Sequence, residues 1–579
     1  MGGHLSNLKP EPHTVPYLAS CGPVRGNVYR HGDKSVDGFL GIPYAKPPIG
    51  ELRFKKPVLS EVWNETKDCT QYGPRCPSSG MFYENIDLKN QDVPDEENCL
   101  TLNVFRPNWQ SKEYIKRPVM VFIHGGGFEL CASRDYCDNS LSGTLPLKDI
   151  VLVTINYRLG ALGFFSTGDE NCKGNFGLWD QTLALKWVQK HIKSFGGDPN
   201  NVTIFGQSAG GASVDLLSLS PHSRGFLYSQ FRLVFMKVYF VPDLFHKFIP
   251  MSGNAHVPFA IRTSSNQAKV SLEYAKNKGF MGSGIQLIPS ILIGVQFIFL
   301  GSSELFVFTK SLPTQKLLER TGFEHSSSGM VSFGPNLDGD FFPEPLDKLR
   351  HESSKKPTMI GMTEHEGLLF AFTDPNFTTA DEILKKRIAS EYKEDVMENS
   401  DSFHQKVFEY YTNYNSENNE KKLVAYTGDS IFNSGVLLAV ESLAQHGNSV
   451  YFYVFDYCNP EGFGVLNGIL PFKVPTHCTE LRYIVGEGVY SKFDPDEQDL
   501  KMMEYMTTVF SNFAKYGNPN HVGSMKWEKY EIGHGERHFH ITSTENEMRE
   551  EFHGGRCQFL KQTSKENKSY QNVFFGKNI

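Results

Sequence analysis

Apolar residues fall in short dense runs separated by longer mixed stretches. Residues 118–123 (PVMVFI) and 150–156 (IVLVTIN) are brief, β-rich and almost wholly apolar, as strands buried on both faces should be. Residues 180–191 have a different period: Leu183, Leu185, Trp187 and Val188, continued by Ile192, favour one side of a helix. Gly196-Gly197-Asp198-Pro199 stops that helix. The next run, 202–205 (VTIF), leads into Gly206-Gln207-Ser208-Ala209-Gly210, and strand-like runs recur at 357–361 and 450–457. This alternation predicts an α/β fold with a large, mostly parallel central sheet and helices on both faces. In such a sheet the working site lies at the carboxyl ends of the strands. No linker divides the chain, and no short repeat suggests a solenoid.

Two segments break the pattern. Residues 226–243 (FLYSQFRLVFMKVYFVPD) and 285–300 (IQLIPSILIGVQFIFL) turn abruptly aromatic and aliphatic. The second is too short and too proline-broken for a transmembrane span. Each reads as a membrane-contacting hairpin or as an extra core layer.

Composition narrows the class. The 579 residues are 39% hydrophobic and 13% aromatic, with a net charge of -7, enough apolar material for a large core and no basic footprint for nucleic acid. None of the ten cysteines forms a Cys-x-x-Cys pair, so neither a zinc site nor another metal or cofactor is expected. The start lacks an apolar signal-peptide core, and Met1-Gly2-Gly3-His4-Leu5-Ser6 fits N-myristoylation at Gly2. One myristoyl chain holds a membrane weakly, so the expected location is cytoplasmic, peripheral at membranes, with a secretory or lysosome-related compartment as the alternative. The end carries no hydrophobic anchor, and the sequons at Asn64, Asn201, Asn376 and Asn567 would matter only after secretion.

The chemistry centres on Ser208. A serine between small residues, after a strand and before a helix, is pushed out on a sharp turn, and the helix N-terminus behind it favours developing negative charge. His124-Gly125-Gly126-Gly127 follows the strand ending at Ile123. Its N–H groups, with that of Ala209, suit an oxyanion hole. An orienting acid should follow a later strand, and Glu364 and Glu366 both follow 357–361; Glu366, before Gly367, better suits a tight loop. Eight histidines lie beyond it (His404, His446, His477, His521, His534, His538, His540 and His553). Residue chemistry leaves the base open among them, with His477 in a loop after a strand. Ser-acid-His machinery points to acyl transfer, most simply ester hydrolysis.

Longer strings carry a resemblance. Phe39-Leu40-Gly41-Ile42-Pro43-Tyr44-Ala45, Glu97-Asn98-Cys99-Leu100-Thr101-Leu102-Asn103-Val104, Asn156-Tyr157-Arg158-Leu159-Gly160 and Phe195-Gly196-Gly197-Asp198-Pro199, with the Ser208 motif, resemble the type-B carboxylesterase and cholinesterase family, and most of all nematode gut-type carboxylesterases. The likeness runs from about Cys21 to about Trp527. It implies the α/β-hydrolase fold and a single catalytic domain over 21–555, with an arm at 1–20 and a polar tail at 556–579. The family's acid motif falls on Gly361 to Gly367 and its histidine motif on His477-Cys478-Thr479-Glu480-Leu481. The implied triad is Ser208, Glu366 and His477, with Gly126, Gly127 and Ala209 as oxyanion donors. Ser252 resembles the family's serine beside the acid, and Cys76 and Cys99 its first disulfide.

Departures from the family shape the expected substrate. Gln207 stands where the family has glutamate, and no tryptophan lies between Cys76 and Cys99 to bind choline. The expectation is therefore a hydrolase of neutral small-molecule esters, with an acyltransferase using an alcohol or amine acceptor, or a non-catalytic adhesion protein, as alternatives. A myristoylated chain in the reducing cytosol would keep Cys76 and Cys99 apart. Residues 226–243 and 285–300 interrupt family text and read as translated introns, a reading that transcripts encoding both would overturn.

Overall fold

The computed structural model describes residues 9–78, 96–113, 115–224, 226–232, 235–241, 243–282, 286–289, 297–319, 333–372, 379–391, 400–414, 418–488, 494–520 and 526–566. Gly2 and residues 567–579 lie outside this set, as do 285 and 290–296 of the second insert.

One twelve-stranded sheet organises the chain. Its strands are β1 (Glu11–Pro12), β2 (Asn27–His31), β3 (Lys34–Pro43), β4 (Thr101–Pro107), β5 (Arg117–Ile123), β6 (Val151–Ile155), β7 (Gly197–Gln207), β8 (Lys247–Met251), β9 (Thr358–Thr363), β10 (Val450–Phe455), β11 (His538–Ile541) and β12 (Glu547–Arg549). The spatial order is β1-β2-β3-β4-β6-β5-β7-β8-β9-β10-β11-β12. From β6 to β11 every pairing is parallel, while antiparallel strands flank both ends.

Burial explains the apolar runs. Every residue of β5, β6 and β10 is buried, because both faces of the sheet are covered. Alternate side chains enter different cores. Val119, Val121 and Ile123 join one cluster, and Met120 and Phe122 join the other. Helices α1 (Phe176–His191), α2 (Ala209–Leu219) and α3 (Ser434–Gln445) pack on the first face. Helix α4 (Glu497–Tyr516) covers the second with Met502, Met506, Val509, Phe510 and Phe513. A third, helical cluster built from residues 368–371, 380–388, 403–411 and 423–426 lies beyond β9.

The segments at the two ends of the chain contribute to the fold. Tyr17 packs against Phe39 and Phe195, with ring centroids 5.2 and 5.7 Å away. Helix Arg556–Glu566 is tied down by Arg556, whose Nε lies 2.6 Å from Asp429 Oδ2. Both inserts have hairpin backbones outside the main sheet. Phe226–Arg232 pairs antiparallel with Phe235–Val241, and Gln286–Pro289 with Phe297–Leu300. The first returns to its point of departure: Leu244 N–H donates to Ser223 O at 3.3 Å.

Candidate active site

Ser208 sits at the carboxyl end of β7, immediately before α2. Its backbone is at φ 59° and ψ -125°, a region a side-chain-bearing residue enters only when its surroundings impose it. The surroundings are visible. Ser208 N–H donates to Met251 O at 2.8 Å. A Cβ on Gly206 would lie 2.6 Å from Ile123 O, on Gly210 2.1 Å from the same oxygen, and on Gly253 2.0 Å from Ser208 O. The glycines therefore permit the ends of β5, β7 and β8 to converge on the serine. Ala209 opens α2, so its N–H lies in the turn that has no intrahelical acceptor.

The glycine loop lies against the same turn. A Cβ on Gly125 would stand 2.5 Å from Gln207 O and 3.1 Å from Ser208 Cβ. Gly126 and Gly127 have φ of 95° and 61°, open to glycine without strain. Glu129 and Leu130 N–H groups close the loop on Gly126 O. Its entry is fixed by Tyr157, whose hydroxyl donates to His124 O at 2.9 Å and whose ring stacks on the His124 imidazole.

Glu366 and His477 come from neighbouring loops and meet in the interior. His477 Nδ1 lies 2.5 Å from Glu366 Oε2. The other Glu366 oxygen accepts from Ser252 Oγ at 2.5 Å and from Thr363 N–H at 2.7 Å. Glu366 and Ser252 are fully buried. Burial alone would raise the Glu366 carboxyl, but His477, Ser252 and Thr363 together hold it below the ordinary carboxylate value. The structure thus brings the Glu366–His477 pair and Ser252 together and places them beside the elbow: Gln207 Nε2 lies 3.2 Å from His477 Nε2. Glu364 points elsewhere, 3.4 Å from His553.

A sequence profile of the carboxylesterase family matches residues 14–560. The chain belongs to the carboxylesterase family. It is 53% identical to esterase cest-33 of Caenorhabditis elegans, over 100% of this chain and 99% of that protein. It is 30% identical to a medium-chain fatty acyl-CoA hydrolase precursor of Anas platyrhynchos, over 91% of this chain and 88% of that one. It is 28% identical to gut esterase 1 of Caenorhabditis elegans, over 85% and 84%. The protein is a carboxylesterase with the α/β-hydrolase fold, and its reaction is ester hydrolysis.

Several site residues were not singled out by sequence reasoning. Glu480 is fully buried three positions after His477, and burial followed by the nearby charge on Glu366 pushes its carboxyl well above the usual value. One buried carboxyl is thereby raised beside one that is held low. Phe432 and Phe370 flank the His477 ring at 4.5 and 5.2 Å. Phe259 extends the wall, 5.7 Å from Phe432. Phe432 sits in a single π-helical turn, Asp429–Asn433, which no periodicity announces. Cys478 Sγ lies 3.0 Å from Gln207 Oε1. Cys76 and Cys99 are joined, with Cα atoms 4.9 Å apart, while most of the loop between them, 79–95, falls outside the described residues. Among the described residues no group of three or more His, Cys, Asp or Glu is placed to hold a metal ion.

Proposed function

We propose that the carboxylesterase reaction runs through a Ser208 acyl-enzyme on neutral small-molecule esters. The observation that carries this reading is His477, held at 2.5 Å by Glu366 on one nitrogen and lodged beside the Ser208 elbow through Gln207. With Nδ1–H committed to the carboxylate, Nε2 carries the lone pair; the Gln207 amide donates to it at 3.2 Å and has to yield it to the Ser208 proton during attack. Ser208 Oγ attacks the ester carbonyl and its proton passes to His477. The N–H groups of Gly126, Gly127 and Ala209 hold the oxyanion, each contributing roughly 3 kcal/mol. Glu366 stabilises the imidazolium, which then protonates the departing alcohol. Water, deprotonated by His477, attacks the acyl-enzyme and releases acid and free Ser208.

Two features support neutral, apolar esters. Gln207 presents an amide where a carboxylate would attract a cation, and Phe259, Phe432 and Phe370 offer an apolar wall beside His477. An alcohol or amine acceptor in place of water would engage the same residues, but the relatives' names are those of esterases and a hydrolase. Ser208→Ala should abolish turnover of p-nitrophenyl butyrate and labelling by a fluorophosphonate; wild-type rates in this variant would overturn the assignment. For location, we infer a cytoplasmic enzyme held weakly at membranes through myristoyl-Gly2. The joined Cys76–Cys99 pair is what a secretory or lysosome-related compartment would preserve. Intact-mass analysis of protein purified under alkylating conditions separates them: cytoplasmic protein carries the acyl mass and two further alkylated thiols.

A further inference from the structure

A second set of titratable groups crowds the loop that carries Glu366, and the catalytic reading does not use it. Glu364 and His365 leave β9, Asp456 leaves β10, His538 and His540 lie on β11, and His553 approaches from the turn before helix Arg556–Glu566. His553 Nδ1 lies 3.4 Å from Glu364 Oε1, and His540 Nε2 lies 3.1 Å from Asp456 Oδ2. The rings of His538 and His540 are 6.0 Å apart, and Phe552 separates His538 from His553. His365 Nδ1, His540 Nδ1 and His553 Nε2 are buried with no hydrogen-bond partner among the described residues. His553 holds φ at 48°, a left-handed backbone imposed on a side-chain-bearing residue.

The charge count decides what such a cluster can do. Four imidazoles, from His365, His538, His540 and His553, face the carboxylates of Glu364 and Asp456, and a third buried carboxyl, Glu536, accepts from Phe552 N–H at 3.2 Å and is raised by burial. Of the nearby cations among the described residues, Arg556 is committed to Asp429 and Arg537 to Glu528 and Glu550. Two protons on the imidazoles balance the two carboxylates; a third or fourth has no partner. The backbone couples this balance to catalysis. Glu364 N–H donates to Phe455 O at 3.0 Å, and Asp456 N–H to Ile541 O at 2.8 Å. His365 N–H donates to Pro475 O at 3.1 Å, so the acid loop is pinned to the loop carrying His477.

We propose that this histidine–carboxylate cluster is a proton-operated switch on the Glu366 loop: uptake of a third and fourth proton spreads Glu364 and His365 from β10 and β11 and withdraws Glu366 from His477. Burial pushes His365 below its ordinary value and His538 down to about 4. Burial would raise Glu364, but His553, His365 and His540 hold it at about 2, so Glu364 stays charged while His365 and His538 take up protons. The sign comes from linkage. The spread state binds these protons near the free histidine value of about 6.5 and the closed state more weakly, so closure is fully favoured above that pH and weakens as pH falls towards about 4.

The test compares the full-length enzyme with His365→Gln/His538→Gln, in which neither side chain can take a proton. Wild type should lose kcat/KM for p-nitrophenyl butyrate below about pH 6 with a log-slope approaching about three, two from the cluster and one from the catalytic base, and its melting temperature should fall in parallel. The double variant should show a slope of about one and at most half the wild-type fall in melting temperature between about pH 7.5 and pH 5. If it does not melt cooperatively at neutral pH, His538→Phe removes one of the two protons and should lower the wild-type slope by about one, since its ring keeps the packing against Phe452 and Phe552. Identical slopes and identical melting shifts in a folded variant, or a wild-type slope of one, would overturn the proposal. The melting arm is independent of the roles given to Ser208 and Glu366.

Discussion

Glu366→Gln tests the central claim, that the carboxylate sets the protonation pattern of His477. The substitution changes shape by almost nothing and charge by one. The fixed partners dictate how the new amide must sit. Thr363 N–H points at Oε1 from 2.7 Å and, being backbone, can only donate. The amide oxygen is therefore locked to that side, because the alternative would set an NH2 against an N–H. The amide NH2 must then face His477 Nδ1, 2.5 Å from the position of Oε2. His477 can accept this bond only by moving its proton to Nε2, the nitrogen that has to receive the Ser208 proton. Loss of the correct tautomer, together with loss of the charge that stabilises imidazolium, should lower kcat by about 10⁴-fold, or about 5.5 kcal/mol in the barrier. KM should change little, since Glu366 is fully buried behind the imidazole. Steady-state hydrolysis of p-nitrophenyl butyrate, with melting curves run alongside, measures the effect. A loss of less than about tenfold in a folded variant would refute the argument, for it would mean that Nε2 is free to accept a proton whatever stands at Nδ1.

Three further outcomes are expected. Gly126→Ala places a Cβ 2.4 Å from Leu130 O at a φ of 95°, which must displace the oxyanion loop; kcat should fall by about 10²–10³-fold with fluorophosphonate labelling slowed in proportion. Arg350→Met leaves Asp215, fully buried on α2, without the guanidinium 2.6 Å away, at a cost of about 3–5 kcal/mol by denaturant titration at neutral pH. Burial would raise the Asp215 carboxyl, but Arg350, the Ala255 N–H and His256 together outweigh it and the net value is below the ordinary one. The pair's contribution is thus complete above the unfolded value of about 3.9 and is lost as pH falls through the folded one, so the deficit of the variant should shrink in acid. Replacing residues 226–241 by two glycines should leave the melting temperature within about 3 °C and kcat/KM within about twofold of wild type, because Phe226 pairs with Val241 and Leu244 already bonds back to Ser223. Loss of cooperative melting would show instead that the hairpin is part of the core.

The sheet was legible because its middle strands are buried on both faces. Runs such as 118–123 and 450–455 have to be apolar throughout, and the structure sets β5 at Arg117–Ile123 and β10 at Val450–Phe455. The Ser208 turn and the glycine loop were legible for a related reason: close backbone approach admits only glycine, so Gly125, Gly206 and Gly210 record contacts with Gln207 and Ile123. A small three-stranded sheet outside the main one was harder to read. Tyr17–Ala19 is a three-residue strand whose place depends on Phe39 and Phe195, far away in sequence.

What the sequence determined by itself was the local half of the site: a serine on a strained strand-to-helix turn, a glycine loop after the neighbouring strand, and acids after a third. Local sterics impose those choices and leave their mark in residue type. Which glutamate and which of eight histidines complete the site is settled by distance between loops more than 100 residues apart, here 2.5 Å between Glu366 and His477. The same holds for Glu480, Phe432 and the histidines around Glu364. Their surroundings come from other strands, and a carboxyl's charge or an imidazole's partner depends on what lies across the gap. No spacing along one strand encodes that.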